Sequence, residues 1–293
     1  MAFRRKKALW RVMGEEYTLG VKTLLTARIE LGIGGFAAKV DAAAALDSAT
    51  RMEESGADII ELNPGPRVLT VGLPAPDQEL SRLVPVLRKL EPRLAVPISV
   101  VTANTETARK AIDLGASIIH DFTGLAFDVQ LASAVNETDA ALVLGHMRGS
   151  PTQWPRMEPL NRLGEHVSVD LRASLFRAHK AGIEPRRIVF DPGLEHGKRG
   201  QENFNLLRSL GSLVPPGQGV QADLSGRRFL VESVRSSQAE RIAAQTVAAT
   251  LALESGAHAL TVEDPQAIRD AVRVVDRIYH GDETERVPAR LHE

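Results

Sequence analysis

The sequence predicts an α/β protein that folds as a single-domain (β/α)8 barrel, the TIM barrel class. The 293 residues alternate short apolar runs with amphipathic stretches eight times, and no linker-like segment divides them. A helix pattern that ends in glycine and leads into an apolar run also recurs in outline, at residues 54–60, 113–119 and 254–260. Eight strand–helix units in one domain are typical of this barrel. A doubly wound open sheet is the alternative.

The predicted strands are apolar runs that suit a sheet covered on both faces. They lie at residues 24–31, 57–63, 97–102, 117–124, 141–149, 187–193, 219–226 and 257–264. A helical pattern follows each strand; after the second, Leu83, Leu87 and Leu90 fall on one face. We expect the barrel to span residues 21–280, preceded by an exposed basic arm at 1–20 and followed by a polar tail at 281–293.

Composition narrows the class of partner. No cysteine occurs, which excludes disulfides, thiolate nucleophiles and cysteine-bound zinc and fits a cytoplasmic location. The net charge of −1 gives no overall attraction for nucleic acid or an acidic membrane. A basic cluster at residues 4–7 is interpreted as a solvated part of the arm, because only short apolar runs follow it. We therefore expect a small-molecule partner, with no nucleic acid and no membrane.

The sixth strand carries the most informative segment, RIVFDPGLEHGK at 187–198. Its apolar run stops at Asp191, because the following Pro192 cannot continue a central strand and Gly193 permits a turn. Asp191 is thus predicted to lie at the carboxyl end of a strand, where a barrel of this class has its active site. An aspartate that only caps a turn is the alternative.

Other polar residues fall at equivalent ends of the predicted strands. They are Glu61, Asn63, Thr102, His120, Asp121, His146, Arg148, Asp223, Ser225, Arg227, Glu263 and Asp264. The cations among them suit an anionic group, and the aspartates suit the N–H groups of a flat heterocycle. Two phosphate-loop interpretations are weaker. The segment 193–199 has the wrong spacing for a P-loop, and the GIGG run at 32–35 is more typical of a flexible turn.

Several blocks together resemble dihydropteroate synthase, the pterin-binding barrel of folate synthesis. They are VPISVVTANTETARKAIDLGASIIHDFTGL at 96–125, LVLGHMRGSPTQ at 142–153, and DPGLEHGK at 191–198 with ENFNLLRSL at 202–210. The resemblance covers about residues 50–280. It implies a transferase that joins 4-aminobenzoate to the exocyclic methylene of a dihydropterin diphosphate and releases diphosphate. It also implies Mg²⁺, which acts through that substrate diphosphate, and no metal bound by the protein.

The resemblance assigns roles residue by residue. Lys198 and Arg227 are the candidate catalytic residues, because they supply positive charge near the reacting group. Seven residues are candidates for substrate binding: Asp191, His120, Asp121, Met147, Arg148, Ser225 and Glu263. Asp191 stands where the family has the aspartate that bonds the pterin ring, and Asp121, Met147 and Lys198 also match family positions.

Elsewhere the sequence departs from the family pattern. Val101 stands in place of an aspartate on the third strand, His120 in place of a pterin-contacting asparagine, and Arg227 in place of a lysine. On the eighth strand Thr261 and Glu263 replace the arginine and histidine that bind diphosphate. The first loop lacks the family's polar block, and in the second loop only Arg67 and Thr70 are candidate substitutes.

Three functions therefore stay open. The first is a synthase of the family type, and the second is a diverged protein that binds a pterin-like ligand without transfer. The third is a metal-dependent hydrolase or lyase, in which His120, Asp121, His146, Asp191 and Glu263 converge on a cation.

The helix pattern after the seventh strand predicts a contact between subunits. Besides many alanines, it contains Ile242, Val247, Leu251 and Leu253, which is more apolar surface than one core-facing stripe needs. The family is similar in that it dimerises through late helices. We expect a homodimer.

Overall fold

Eight parallel strands form a closed barrel in the computed structural model, which describes residues 5–32, 39–65, 72–234 and 237–281. An antiparallel hairpin of β1 (Ala8–Val12) and β2 (Glu15–Leu19) precedes the barrel. The barrel strands are β3 (Leu24–Glu30), β4 (Ile59–Asn63), β5 (Ile98–Val101), β6 (Ile118–Asp121), β7 (Ala141–Gly145), β8 (Ile188–Asp191), β9 (Gly219–Asp223) and β10 (Ala259–Val262). They neighbour one another in chain order, and β10 closes on β3. The predicted (β/α)8 barrel and its eight strands are confirmed.

Helices surround the barrel in the connections between strands. They are α1 (Ala42–Glu54), α2 (Pro76–Leu90), α3 (Thr105–Asp113), α4 (Leu131–Asn136), α5 (Leu163–Lys180), α6 (Gln201–Leu207), α7 (Leu210–Leu213), α8 (Arg228–Val231), α9 (Gln238–Glu254) and α10 (Pro265–His280). Their apolar faces and the outward side chains of the strands form the largest hydrophobic cluster. No helix within the described ranges is both long and apolar enough to cross a membrane.

The face that α2 buries differs in part from the predicted stripe. Leu83, Leu87 and Leu90 are buried as expected. The charged Glu79 and Arg82 are buried as well, because each finds polar partners beside the sheet. Glu79 accepts hydrogen bonds from the Thr102 hydroxyl at 2.7 Å and from an amide side chain, and Arg82 donates to a backbone carbonyl.

Side chains inside the barrel form two layers of different character. At the amino ends of the strands, Leu24, Ile59, Ile118 and Val189 pack with the hairpin in an apolar cluster. At the carboxyl ends the interior is polar and charged. Strand alternation points every second residue inward, so residues 26, 28 and 30 of β3 project into the barrel. The barrel interior is therefore filled with apolar side chains at the amino ends of its strands, the lower layer, and lined with charged side chains at the carboxyl ends, the upper layer.

The N-terminal segment is a plug and not an arm. The expectation of an exposed basic arm over residues 1–20 is wrong for residues 8–19, because Trp10, Tyr17 and Leu19 are buried against the lower apolar layer. Arg5 is buried too: its guanidinium donates to the Thr23 hydroxyl at 2.6 Å and pairs with a carboxylate of α10. Lys6 and Lys7 remain exposed.

Some predictions fall outside the described residues. These are the candidate residues Arg67 and Thr70, all but the first residue of the GIGG run, and the polar tail beyond residue 281.

We predict that the hairpin contributes substantially to stability. Trp10→Ala should lower the free energy of unfolding by about 3–5 kcal/mol, because it empties a site in which the ring is 1% exposed. Leu9→Ala is the matched control, since the neighbouring Leu9 is 49% exposed on the same strand. Denaturant unfolding of both variants measures the difference. Equal, small effects would contradict a plug that supports the barrel.

Candidate active site

A cavity of about 740 Å³ opens at the carboxyl ends of the barrel strands. Its wall combines charged, polar and aromatic side chains from strands on most of the barrel and from the loops that follow them. The polar lining includes Arg28, Glu30, Asn63, Glu79, His120, Glu195, His196, Lys198, Arg199, Asn203, Ser225, Arg227, Arg228 and Glu232. The apolar lining includes Pro74, Val101, Phe122, Trp154, Pro155 and Phe229. This size and mixture suit a drug-sized heterocyclic ligand.

A buried guanidinium organises the floor of the cavity. The Arg28 Nε and Nη2 atoms donate to Glu61 Oε1 at 2.8 and 2.6 Å. Its Nη1 atom lies 2.5 Å from Asp223 Oδ2 on the opposite side. Because both carboxylates are almost fully buried, the arginine compensates two charges that would otherwise be costly to bury.

His120 extends this network towards the sixth barrel strand. Its Nδ1 atom lies 2.9 Å from Glu61 Oε2, and its Nε2 atom lies 3.5 Å from Asp191 Oδ2. The other oxygen of Asp191 accepts a hydrogen bond from the backbone N–H of Gly193 at 2.8 Å. The replacement of asparagine by histidine therefore joins the β4 carboxylate to the β8 carboxylate.

The charges in this network shift one another's protonation. Burial acts to lower the pKa of His120, but the carboxylates of Glu61 and Asp191 outweigh it and raise this pKa to about 9. Burial acts to raise the pKa of Glu61, but Arg28 and His120 lower it to about 2. The pKa of Asp191 is likewise held well below its usual range, mainly by His120, against the effect of burial. At neutral pH the pair is an imidazolium beside a carboxylate.

Arg227 contacts the same carboxylate oxygen of Asp223 as Arg28 does, and it is bound to Asp223 twice. The guanidinium donates to the Asp223 carbonyl at 3.0 Å and forms a close ion pair with its carboxylate. Asp223 thus holds two arginines, Arg28 and Arg227. The adjacent Ser225 lines the cavity, and its buried hydroxyl has no hydrogen-bond partner among the described residues.

Lys198 ties together the loops that follow β7 and β8. Its ammonium donates to the carbonyls of His146, Pro192 and Gly193 at 2.8, 2.9 and 2.6 Å. Gly193 is required there: its φ is +70°, and a Cβ atom would lie 1.9 Å from the His146 carbonyl oxygen. Burial lowers the pKa of Lys198 to about 7, whereas three acceptors suit the three N–H bonds of an ammonium.

Aromatic rings form one wall of the cavity. His196 stacks on Trp154 with ring centroids 5.7 Å apart and an interplanar angle of 19°. On its other side Phe122 lies 5.6 Å away in a tilted arrangement. Burial, followed by the nearby Arg227 and Lys198, lowers the pKa of His196 well below its usual value. A neutral, planar surface of this kind suits contact with an aromatic ligand.

The structure brings together about half of the residues predicted from the sequence. His120, Lys198, Ser225 and Arg227 line the cavity, and Asp191 lies directly beside His120. Asp191 itself is not part of the lining that the described residues form, and four further candidates lie outside it as well. They are Asp121, Met147, Arg148 and Glu263.

Each of these four has another environment. Asp121 accepts hydrogen bonds from Thr123 and from the Leu125 backbone, so it caps its own turn. Met147 is half-buried and packs against the cluster that contains Val101. Arg148 donates to a backbone carbonyl in the loop after β7, and Glu263 is exposed.

The residues considered for a metal site do not converge. His146 is bonded to Asp170 at 3.0 Å, Asp121 caps its turn, and Glu263 lies outside the cavity lining. Within the described ranges no group of three histidine or acidic side chains is placed to hold a cation. The geometry therefore gives no support to the metal-dependent hydrolase or lyase.

Sequence reasoning missed the centre of the site. Arg28 was not considered, and Glu61 was noted only as a strand-end residue. A signal was present, because Thr26, Arg28 and Glu30 place polar groups at every second position of a strand that is otherwise apolar. A charged residue at an inward position of a barrel strand indicates either a ligand or a buried partner.

The comparisons with known proteins agree with this fold. A family model described as pterin binding enzyme matches residues 35–263. The chain is 35% identical over 221 residues to a dihydropteroate synthase of Mycobacterium leprae, which covers 72% of this chain and 77% of the relative. It is 27% identical over 239 residues to that of Synechocystis, with 80% and 82% covered. The chain therefore belongs to the dihydropteroate synthase family of pterin-binding enzymes.

Solved structures are similar over nearly the whole barrel. The dihydropteroate synthase of Burkholderia cenocepacia, complexed with 7,8-dihydropteroate, has a TM-score of 0.82 and 28% identity, covering 94% of this chain and 98% of that one. The enzyme of Thermus thermophilus, in complex with 4-aminobenzoate, has a TM-score of 0.80 and 29% identity, covering 92% and 100%.

We predict that His120 makes stability fall as the pH rises above neutrality. Its pKa is raised from 6.5 to about 9, so its stabilising charge is complete below pH 6.5 and is lost through pH 9. Because the lowered pKa of Lys198 acts in the opposite direction above pH 7, the measurement is the difference between wild type and His120→Asn. That difference in free energy of unfolding should shrink by up to about 1.4 kcal/mol per pH unit between pH 7 and 9.

His258→Asn provides the control for this experiment. His258 is also buried, but its pKa is lowered to about 4, chiefly by burial, so it does not titrate between pH 7 and 9. The difference between wild type and this variant should stay constant over that range. A constant difference for His120→Asn as well would contradict the imidazolium assignment.

Proposed function

We propose that the chain is a dihydropteroate synthase-type transferase that condenses a dihydropterin diphosphate with 4-aminobenzoate or a related arylamine. The observation that carries this proposal is the Oδ2 atom of buried Asp191, which lies 3.5 Å from the cavity-lining His120 and has no hydrogen-bond partner within the described part of the chain. A buried acceptor of this kind requires a donor, and the ring N–H of a pterin supplies one. Membership of the family and the ligands of its solved relatives support the same substrates.

The reaction forms one bond and breaks one. The arylamine nitrogen attacks the exocyclic methylene carbon, while the bond from that carbon to the diphosphate oxygen breaks and its electron pair leaves with diphosphate. The amine then loses a proton to solvent or to diphosphate. The protein's contribution is to hold the ring and the amine in line and to keep the ring edge bonded.

The cavity walls suit the two substrates. We assign the ring to the floor beside Asp191 and His120, and the arylamine to the wall formed by Phe122, His196 and Trp154. Arg199 lies in the lining and supplies positive charge for diphosphate or for the arylamine carboxylate, whereas the neighbouring lining residue Arg228 is paired with Glu232. Mg²⁺ belongs to the substrate in this proposal, since it accompanies the diphosphate.

In this scheme Lys198 acts by positioning loops, and Arg227 acts through its positive charge. Lys198 is a positioning residue, because its N–H groups are used on backbone carbonyls and fix the loops that carry Gly193 and His146. Arg227 directs its charge mainly to Asp223. The cytoplasmic location inferred from the absence of cysteine stays a prediction.

A protein that binds the pterin without transfer is the second candidate, and one observation favours it. The lining contains the carboxylates Glu30, Glu79, Glu195 and Glu232. Arg28 and Arg227 are paired with Glu61 and Asp223, and Arg228 is paired with Glu232. Beyond Arg199, the described lining therefore offers little uncompensated positive charge to diphosphate. The two candidates differ in turnover and not in ring binding.

We predict that the purified protein releases diphosphate when it is given 6-hydroxymethyl-7,8-dihydropterin diphosphate, 4-aminobenzoate and Mg²⁺. Asp191→Asn should lower kcat/KM by roughly 10- to 100-fold, because it replaces a charged hydrogen bond by a neutral one. Asp270→Asn is the control, since that residue is exposed on α10. Diphosphate release and the mass of the coupled product are the measurements. A protein that binds the pterin but releases no diphosphate at any concentration would be the binding protein.

We further propose that two chains associate through α9 to form a homodimer. Ala248, Ala249, Ala252 and Leu253 of α9 are buried, so Leu253 belongs to the core, whereas Val247 and Leu251 are 59% and 42% exposed. Beside them, an apolar groove of about 510 Å³ runs between α9 and the shorter helices α6 and α8. Exposed apolar surface of this kind is typical of a protein interface.

The double substitution Val247→Glu and Leu251→Glu should convert the dimer into a monomer, because it places charges at the centre of the buried face. Val169→Glu on α5 is the control, since Val169 is exposed to a similar degree on a different helix. Molecular mass in solution, by light scattering, measures the result. A wild-type monomer would contradict the proposal.

A further inference from the structure

Two buried polar atoms lie side by side where His120 meets the cavity, and neither has a hydrogen-bond partner among the described residues. They are His120 Nε2 and Asp191 Oδ2, which lie 3.5 Å apart. The second polar atom of each group is already bonded, to Glu61 in one case and to the Gly193 backbone in the other. Each residue therefore offers one atom to a ligand.

The surroundings decide which atom donates and which accepts. Glu61 is a carboxylate paired with Arg28, so it accepts the Nδ1–H of His120. The Nε2 atom faces a second carboxylate, that of Asp191, which favours a proton on this nitrogen as well. The raised pKa of His120 agrees with a doubly protonated ring. The floor thus presents one N–H donor beside one carboxylate acceptor.

We propose that His120 is a specificity-determining residue: it selects rings that carry a lactam oxygen next to the N–H bound by Asp191, and it excludes rings that carry an amino group in place of that oxygen. The ring carbonyl accepts from His120 Nε2–H, and the neighbouring ring N–H donates to Asp191 Oδ2. This inference rests on the proposed function, and it names the ring edge that the site selects.

Histidine makes this choice stricter than an amide side chain would. An asparagine amide has both an acceptor and a donor and can present either one after rotation, whereas an imidazolium presents N–H groups only. Glu61 also fixes the orientation of the His120 ring. A 4-amino ring would bring its N–H₂ against the imidazolium N–H and a ring lone pair against the Asp191 carboxylate. Both contacts are repulsive in a buried site.

The test compares two rings that differ at this edge. The probes are 6-hydroxymethylpterin, which has the lactam, and 2,4-diamino-6-hydroxymethylpteridine, which does not. Isothermal titration at pH 7 should give wild type a roughly 10- to 100-fold preference for the lactam ring, the effect of one charged hydrogen bond. In His120→Asn the preference should fall towards unity, because the amide can turn to accept from the amino group.

His196→Asn is the control variant. His196 lines the same cavity but belongs to the aromatic wall, so this substitution should leave the preference unchanged. His120→Gln carries the same amide chemistry and replaces His120→Asn if that variant does not fold, as judged by its melting curve. Equal affinity of wild type for both rings, binding of neither, or full preference in the amide variants would overturn the inference.

Neither probe carries a leaving group, so this result is independent of turnover. A lactam preference that depends on His120, found in a protein that releases no diphosphate, would leave the inference standing while the transferase fails. Diphosphate release without that preference would do the reverse.

Discussion

The upper half of the barrel depends on one buried cation, Arg28. It holds Glu61 on one side and Asp223 on the other, and each of these carboxylates holds a further residue of the site. Glu61 orients His120, and Asp223 binds Arg227. Removing the guanidinium would leave each of these buried carboxylates with one cationic partner in place of two, which is destabilising in a buried site. The cavity floor is therefore one coupled unit that spans strands β3, β4, β6, β8 and β9.

This coupling makes the departures from the family pattern intelligible as a set. The histidine at position 120 brings a positive charge, and it lies between Glu61 and Asp191, which neutralise it. Val101, where the family has an aspartate, is packed with Ala103 and Phe122 in a small apolar cluster. The lost carboxylate is thus replaced by a packed apolar wall and by a new charge pair on the neighbouring strands. The replacements at positions 101 and 120 therefore make a new set of contacts in the pocket, and the new charge at position 120 is paired there.

The sequence allowed the barrel to be predicted because strand alternation, helix periodicity and glycine caps all indicate the same architecture. It did not separate Asp121 from Asp191. Both end a buried strand, but Asp121 uses its two oxygens on its own turn, whereas Asp191 uses only Oδ1 there; this difference depends on loop conformation. The hairpin was missed because its strands are short and the basic cluster before them suggested solvent. Residues that meet only across the closed barrel, such as Arg28 and Asp223, leave no mark of their pairing in local sequence.

Lys198 shows what a match to a family sequence motif indicates about a protein. The DPGLEHGK segment is the clearest mark of the family in this chain, yet its lysine spends its N–H bonds on three main-chain oxygens and joins two loops. A planar guanidinium, with its donors spread in a fork, would not converge on the same three acceptors. A lysine shared at this position therefore indicates a shared fold and not a shared catalytic activity. Two proteins can share it, fold alike, and still differ in whether they catalyse anything.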